Sequence, residues 1–254
     1  MALPTTPSFG LEGRRALVTG GSRGIGRAAA AALAQAGAKV TIVGRDTAAL
    51  AATIEEFHAA GLACEPLALD ITEAREVDRV LSAAGPFQIL VNNAGMNRPR
   101  LLVDTPDEDI DAVFELNVKA AFRVTRTVVR RLIAEGLAGS VINVSSQMGL
   151  VGSPRRSVYC ATKHAMEGMT KSLAWELGPA NIRVNTLCST FIETPMTAPM
   201  FADDSFRKWV IERIALGRLG RLDEVMGAVV FLASDASSLV TGSALVLDGG
   251  WTAV

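Results

Sequence analysis

Tyr159 and Lys163 stand four residues apart in the run YCATK. On a helix those positions share one face, so a phenol and an ammonium can act at a single point. A phenol with its ordinary pKa of ~10 is a weak acid–base at neutral pH. A fixed cation favours the phenolate and draws that pKa toward the working range, where proton transfer is most efficient. Ser146 precedes Tyr159 across a loop rich in Gly, Pro and Arg. Such a loop can fold a strand end back over a helix start, and the serine hydroxyl can hydrogen-bond a carbonyl or alcohol oxygen. Together the three groups suit proton transfer at a carbinol oxygen, which needs a hydride partner. A Tyr and a Lys on a solvated helix face would leave the same pattern, so the remaining chain must decide.

The partner's place is suggested near the N-terminus. Residues 14–19 read as a short buried strand. They run into Gly20, Gly21, Ser22, Arg23, Gly24, Ile25 and Gly26, and then into an Ala-rich helical stretch over 27–36 closed by Gly37. Strand, glycine-rich turn and helix form a phosphate-binding corner. Glycines let the backbone approach a pyrophosphate, and the helix start supplies free N–H groups and a positive dipole end. The spacing is GxxxGxG, and its setting between strand and helix is what gives it meaning.

The rest of the chain must position these two sites. Strands are expected over 39–43, 62–69, 87–91, 140–144, 181–187 and 244–247. Helices are expected over 47–60, 73–84, 106–136, 157–177 and 222–233. This alternation predicts a Rossmann-type, doubly wound α/β fold: a seven-stranded parallel sheet with helices on both faces. Right-handed crossovers place every strand's C-terminal end on one rim, where ligands bind. No linker or repeat interrupts the pattern, so residues 1–254 read as one domain. The stretch 189–220, with its prolines, methionines, Phe201, Phe206 and Trp209, reads as a partly helical substrate lid.

Composition excludes several classes. The 25 basic and 26 acidic residues are interspersed, giving net charge −1. Neither nucleic acid nor an anionic membrane is an expected partner. No apolar run approaches the ~18 residues of a spanning helix, and no basic start with an apolar stretch marks a signal peptide. Cys64, Cys160 and Cys188 lack metal or CxxC spacing, and His58 and His164 are isolated. A cytoplasmic protein without a metal site is expected.

The motifs in order resemble the short-chain dehydrogenase/reductase family in its single-domain form, from about Leu11 to the end. They are TGGSRGIG at 19–26, Asp70, NNAG at 92–95, Asn117, INVSS at 142–146, YCATK at 159–163 and LDGGW at 247–251. The resemblance implies a tetrad of Asn117, Ser146, Tyr159 and Lys163. Tyr159 would exchange the proton at the carbinol oxygen. Lys163 would lower its pKa and hold the nicotinamide ribose, Ser146 would hold the substrate oxygen, and Asn117 would anchor a water linking Lys163 to solvent. The cofactor would be held by Gly20, Ser22, Arg23, Gly24, Ile25 and Gly26, by Asp70 and Ile71 at the adenine, by Asn92, Ala94 and Gly95, and by Ile192 and Thr194 at the carboxamide. The chain departs from the family at Ser189-Thr190, where Pro-Gly is usual.

The resemblance also bears on cofactor and assembly. NAD-preferring relatives end the second strand with Asp or Glu. Here Gly44 takes that place, Arg45 follows, and Arg23 lies in the glycine-rich turn. NADP(H) is therefore the expected cofactor in preference to NAD(H). The expected reaction interconverts a ketone and a secondary alcohol. Sugars or polyols, 3-oxoacyl thioesters and cyclic ketones all remain open as substrates, and a non-catalytic nucleotide-binding sensor is the competing class. Arg155 and Arg156 are expected to be solvated loop residues, with an anionic substrate as the alternative. Apolar helices around 106–136 and 157–177 point to a homotetramer.

Overall fold

Strands of this chain alternate their side chains between two cores, as period two requires. In β1 (Arg15–Thr19), Ala16 and Val18 join one cluster with α1 (Gly24–Gln35), α2 (Thr47–Ala59) and α8 (Leu222–Ala233). Leu17 between them joins the other, with α3 (Ala74–Ala83) and α5 (Ala120–Ala134). We use a computed structural model, which describes residues 3–194 and 197–254. The other strands are β2 (Lys39–Gly44), β3 (Cys64–Ala68), β4 (Ile89–Asn92), β5 (Gly139–Val144), β6 (Ile182–Ser189) and β7 (Ala244–Leu247). All pairings are parallel, in the order β3-β2-β1-β4-β5-β6-β7. The sheet grows outward from β1 in both directions. A crevice therefore opens at the C-terminal ends of β1 and β4, the usual ligand position in such sheets.

Two elements differ from expectation in ways that shape the site. The helix expected over 106–136 is split into α4 (Asp107–Phe114), a π turn at Glu115–Lys119, and α5. Asn117 sits in that π turn, and its side chain is drawn off to Met96 and to Thr162. Single π turns of this kind occur where one residue is spent on function or packing. β6 continues to Ser189, beyond the expected end at 187. Without the family's Pro-Gly, the path is fixed by β7: Thr190 N–H donates to Leu247 O at 3.1 Å.

Of the expected lid, residues 195 and 196 lie outside the described residues. The remainder holds a 3-10 turn, Ala198–Ala202, and α7 (Asp204–Ile211), capped by Asp203 accepting from Ser205 N and Phe206 N. Phe201, Phe206 and Trp209 form an aromatic cluster with Phe191 and Trp251. Among the described residues no helix is long and apolar enough to cross a membrane. Nor, among the described residues, is a cluster of three His, Cys, Asp or Glu side chains placed to hold a metal ion.

Candidate active site

The glycine-rich corner is built as a cradle. Gly20 takes φ 63° and Gly24 φ 53°, left-handed values that L side chains rarely adopt. α1 begins right after Arg23, which gives no side-chain cap, and its first turn has no acid. Its leading N–H groups and dipole end therefore face the cleft ready for an anion. Gly26 does not line the cleft. A Cβ there would lie 2.2 Å from Gly20 O and 2.3 Å from Asn93 Nδ2, so this glycine lets the helix close on the turn. Gly26→Ala should thus lower Tm by about 3–10 °C through overpacking against backbone. A melting curve identical to wild type would contradict this close approach.

At the outer end of the cleft lie Ser22, Arg23, Gly44, Arg45, Asp70 and Ile71. Arg45 is largely exposed and pairs with Asp70 at 3.4 Å, not with Asp46, which instead caps α2 through Ala49 N. Burial pushes the Asp70 carboxyl up. Hydrogen bonds from Thr72 and the Arg45 charge outweigh it and hold the pKa below its ordinary value. Asp70 is not a helix cap, because α3 starts at Ala74.

The four residues after β4's apolar run divide by face. Asn92 points away from the cleft, a correction to its expected cofactor contact. It is the last strand residue, and its Nδ2 donates to Thr125 Oγ1 at 2.8 Å and Asn143 Oδ1 at 2.9 Å. Asn143 donates on to Thr170, so this polar chain ties β4 and β5 to α5 and α6 (Ser157–Leu177). Asn93 is the cleft residue, donating to Thr19 O and Gly20 O to hold the glycine turn. Strand alternation was the signal that could have separated the two. Ala94 and Gly95 line the cleft as expected. Asn117 does not line it. Its Oδ1 accepts from Met96 N–H at 2.8 Å, and its Nδ2 donates to Met96 O and Thr162 Oγ1. Its side-chain polar atoms are thus engaged by protein partners, and it joins the loop after β4 to the helix carrying Lys163.

Ser146, Tyr159 and Lys163 all reach the inner cleft. Lys163 Nζ donates to Val144 O at 2.7 Å and stands 5.5 Å from the Tyr159 ring centroid. Ser146 Oγ accepts from Met148 N and lies 3.5 Å from Ser189 O. Tyr159 keeps an edge open to the cleft, yet packing around it is dense. Burial pushes its phenol up to about 12, and the Ser146 hydroxyl and Arg156 charge pull it down only in part. The expectation that Lys163 depresses the phenol is therefore not met here. Lys163 is committed to Val144 O, and burial lowers it to about 8, with Cys188 and Glu167 holding it up.

The cleft volume is about 650 Å³, the size of a ligand pocket. Ile25, Ile192 and Thr194 line it as expected, and so do the unforeseen Asn97, Gln147, Thr197 and Met200. Thr194 and Thr197 share a hydroxyl contact at 3.1 Å. Arg155 is exposed, at φ 61°, whereas Arg156 is buried, 7% exposed, and lines the cleft. That corrects the solvated reading of Arg156. The left-handed turn at Arg155 aims the next residue inward.

Comparison with known proteins gives the family. A family model described as enoyl-(acyl carrier protein) reductase matches residues 20–252. D-erythrulose reductase of Gallus gallus is 40% identical over 245 residues, covering 96% of this chain and 98% of the relative. The 3-oxoacyl-[acyl-carrier-protein] reductase FabG of Thermotoga maritima is 41% identical over 94% of this chain and 98% of its own length. The crystal structure of a gluconate 5-dehydrogenase from Burkholderia cenocepacia, in complex with NADP and tartrate, superposes with TM-score 0.93. It has 36% identity and covers 97% of this chain and 98% of that one. The glycine cradle, the Tyr159–Lys163 pair and likeness along nearly the whole chain lead to one conclusion: this chain belongs to the short-chain dehydrogenase/reductase family, the NAD(P)-dependent oxidoreductases acting on CH–OH groups.

Proposed function

We propose that this chain, as a single catalytic domain with its lid at 189–220, interconverts a small polar ketone and its secondary alcohol using NADP(H). One observation carries the reading: Ser146, Tyr159 and Lys163 converge at the inner end of a cleft whose outer end holds an anion cradle and two arginines. The residues fit the cofactor. A Cβ at Gly20 or Gly21 would crowd Asn93 or Ile42, Gly24 is held at a left-handed φ, and the α1 N–H groups are free of acid and cap. Gly20, Ser22, Arg23, Gly24 and Ile25 would hold the pyrophosphate, with Arg23 and Arg45 near the 2′-phosphate. Asp70 and Ile71 would lie at the adenine, and Ala94, Gly95, Ile192, Thr194 and Lys163 at the nicotinamide end. When bound, NADPH supplies the hydride to the carbonyl carbon. Tyr159 donates the proton to the carbonyl oxygen, Ser146 orients that oxygen, and Lys163 holds its charge beside them. Asn92 and Asn117 serve as positioning residues, and Gly26 lets the corner close.

The names of the Gallus and Burkholderia relatives favour sugar-type ketones and alcohols, and that of the Thermotoga relative favours acyl thioesters. NADPH oxidation followed by absorbance against ketoses, ketoesters and acyl thioesters separates these classes. No turnover with any ketone, despite NADPH binding, would leave the non-catalytic reading in its place.

The electrostatics set a pH dependence. With the phenol pushed up to about 12, Tyr159 is protonated throughout the neutral range and stands ready as the proton donor for reduction. With Lys163 lowered to about 8, its ammonium is lost as pH rises through that value. Reduction should therefore be flat from pH 6 to 7 and decline above about 8. Tyr159 is the chain's one tyrosine, so tyrosinate absorbance reports this group alone. No signal should rise below about pH 11 if the phenol titrates near 12. A phenol titrating near 7 would reverse the assignment.

Assembly and location complete the proposal. Trp175 on α6 and Phe122 on α5 are exposed, Trp175 at 88%. Apolar side chains on two neighbouring helices suit burial against a second copy. A homotetramer is the expected state, and light scattering giving a monomer at micromolar concentration would remove it. Three free, buried cysteines suit a reducing, cytoplasmic setting.

A further inference from the structure

Arg156 differs from the other shielded arginines of this chain. Arg15 donates to Ala84 O, Arg183 to three carbonyls, and Arg123 to Thr72 O and the Glu115 carboxylate. Arg156 lies at the start of α6, three residues before Tyr159, and no carboxylate pairs with it among the described residues. Its polar contact is the weak acceptor Met200 Sδ, at 3.6 Å from Nη2. The guanidinium lies 5.6 Å from the Phe191 ring centroid and 5.9 Å from that of Phe206. A guanidinium has five donors and stays charged, and burying it unpaired is costly. A residue in this state is a built half-site whose missing half is an anion.

The polar lining supplies a second, independent observation. Buried and without a hydrogen-bond partner are Asn97 Oδ1, Gln147 Oε1 and Thr190 Oγ1, all from residues that line the same cleft. Two are carbonyl oxygens that can only accept, so their complement is a donor, an ordered water or a substrate hydroxyl that takes its place. A ligand that met both needs would carry one carboxylate and several hydroxyl groups. The aromatic lid over Arg156 excludes water from that contact and so strengthens it.

We propose that Arg156 is the carboxylate-recognition residue of this cleft, and that the substrate is a small polyhydroxylated oxo acid with its hydroxy acid as product. This rests on the reading of the cleft as a ketone–alcohol oxidoreductase site. A planar carboxylate takes two parallel N–H bonds from the guanidinium, which fixes where the carbonyl falls relative to Tyr159. A neutral ketose of the same length leaves the buried charge unpaired and binds less well.

Two probes isolate this: 5-keto-D-gluconate and L-sorbose, which differ in bearing a carboxylate or a hydroxymethyl group at one end. The readout is the ratio of their kcat/KM values with NADPH, taken on one preparation so that the folded fraction cancels. Wild type should favour the acid at least tenfold. Arg156→Gln should reduce that ratio by about 10- to 100-fold, the worth of a hydrogen bond to a charged group. Arg156→Lys should recover part of it. A ratio that Arg156→Gln leaves within threefold of wild type overturns the proposal while ketone reduction stands. If neither probe is reduced, the ketone reading is in question, and binding decides the arginine's role separately. D-gluconate is then titrated calorimetrically into NADP⁺-loaded Tyr159→Phe protein with Arg156 either intact or changed to Gln. Heat lost with the second change supports carboxylate recognition. Equal binding, or none to either, overturns it.

Discussion

Tyr159→Phe lowers kcat by roughly a hundred- to ten-thousandfold, the usual contribution of a placed acid–base group, while NADPH still binds. The substitution keeps the ring and its packing and removes the one proton the mechanism moves. Lys163, whose Nζ lies 5.5 Å from the ring centroid, keeps its own anchor on Val144 O, which the substitution does not touch. Lys163→Ala behaves differently, because the ammonium is anchored by Val144 O beside both the phenol and the cofactor's expected place. It should lower the rate and weaken NADPH binding together. Steady-state kinetics and fluorescence titration of NADPH on the two variants separate these effects. A Tyr159→Phe enzyme keeping a tenth or more of wild-type turnover would rule out the phenol as proton donor.

The second large effect is on cofactor choice. Wild type should prefer NADPH, since no carboxylate at Gly44 repels a 2′-phosphate and Arg23 and Arg45 flank the outer cleft. Gly44→Asp has room: a Cβ there meets Leu50 Cδ2 at 3.4 Å, an ordinary contact, and the residue is not left-handed. Combined with Arg45→Gln it removes an attraction and adds a repulsion. One charged hydrogen bond is worth about 1.5–3 kcal/mol, so the NADPH/NADH ratio of kcat/KM should shift toward NADH by about tenfold to several hundredfold. Arg45 now pairs with Asp70, so Asp70 would lose a stabilising charge in the variant and its carboxyl would titrate higher. A wild type that already prefers NADH, or a ratio unmoved by the double change, would contradict this assignment.

The alternating pattern of apolar runs made the sheet legible, because a buried parallel strand needs a nearly continuous apolar stretch and a helix needs its own period. The seven strands and the glycine corner fall where those patterns place them. What the pattern concealed depends on long-range contact. The π turn at Glu115–Lys119 arises because Asn117 is claimed by Met96 and by Thr162 on another helix, and neither partner is visible in a local window. The exchange of Asn92 for Asn93 in the cleft turns on a single step of strand alternation. Arg156 read as loop because Gly, Pro and Arg surround it. Only the folded lid, with Phe191 and Phe206 against the guanidinium, buries it. The direction of the phenol's shift was likewise set by crowding around Tyr159, which sequence spacing does not register.

The central claim is that this cleft moves a hydride between NADPH and a carbonyl carbon while Tyr159 handles the proton. The most direct measurement uses NADPH deuterated at nicotinamide C4, prepared separately on each face, with a ketone the enzyme reduces. Mass spectrometry and NMR then locate the label in the alcohol. The account predicts deuterium on the carbinol carbon from one face only, because Ile192, Thr194 and Lys163, which line the inner cleft, would hold the nicotinamide in one pose, and it predicts loss of label transfer with Tyr159→Phe. An alcohol formed without label from either face would contradict it.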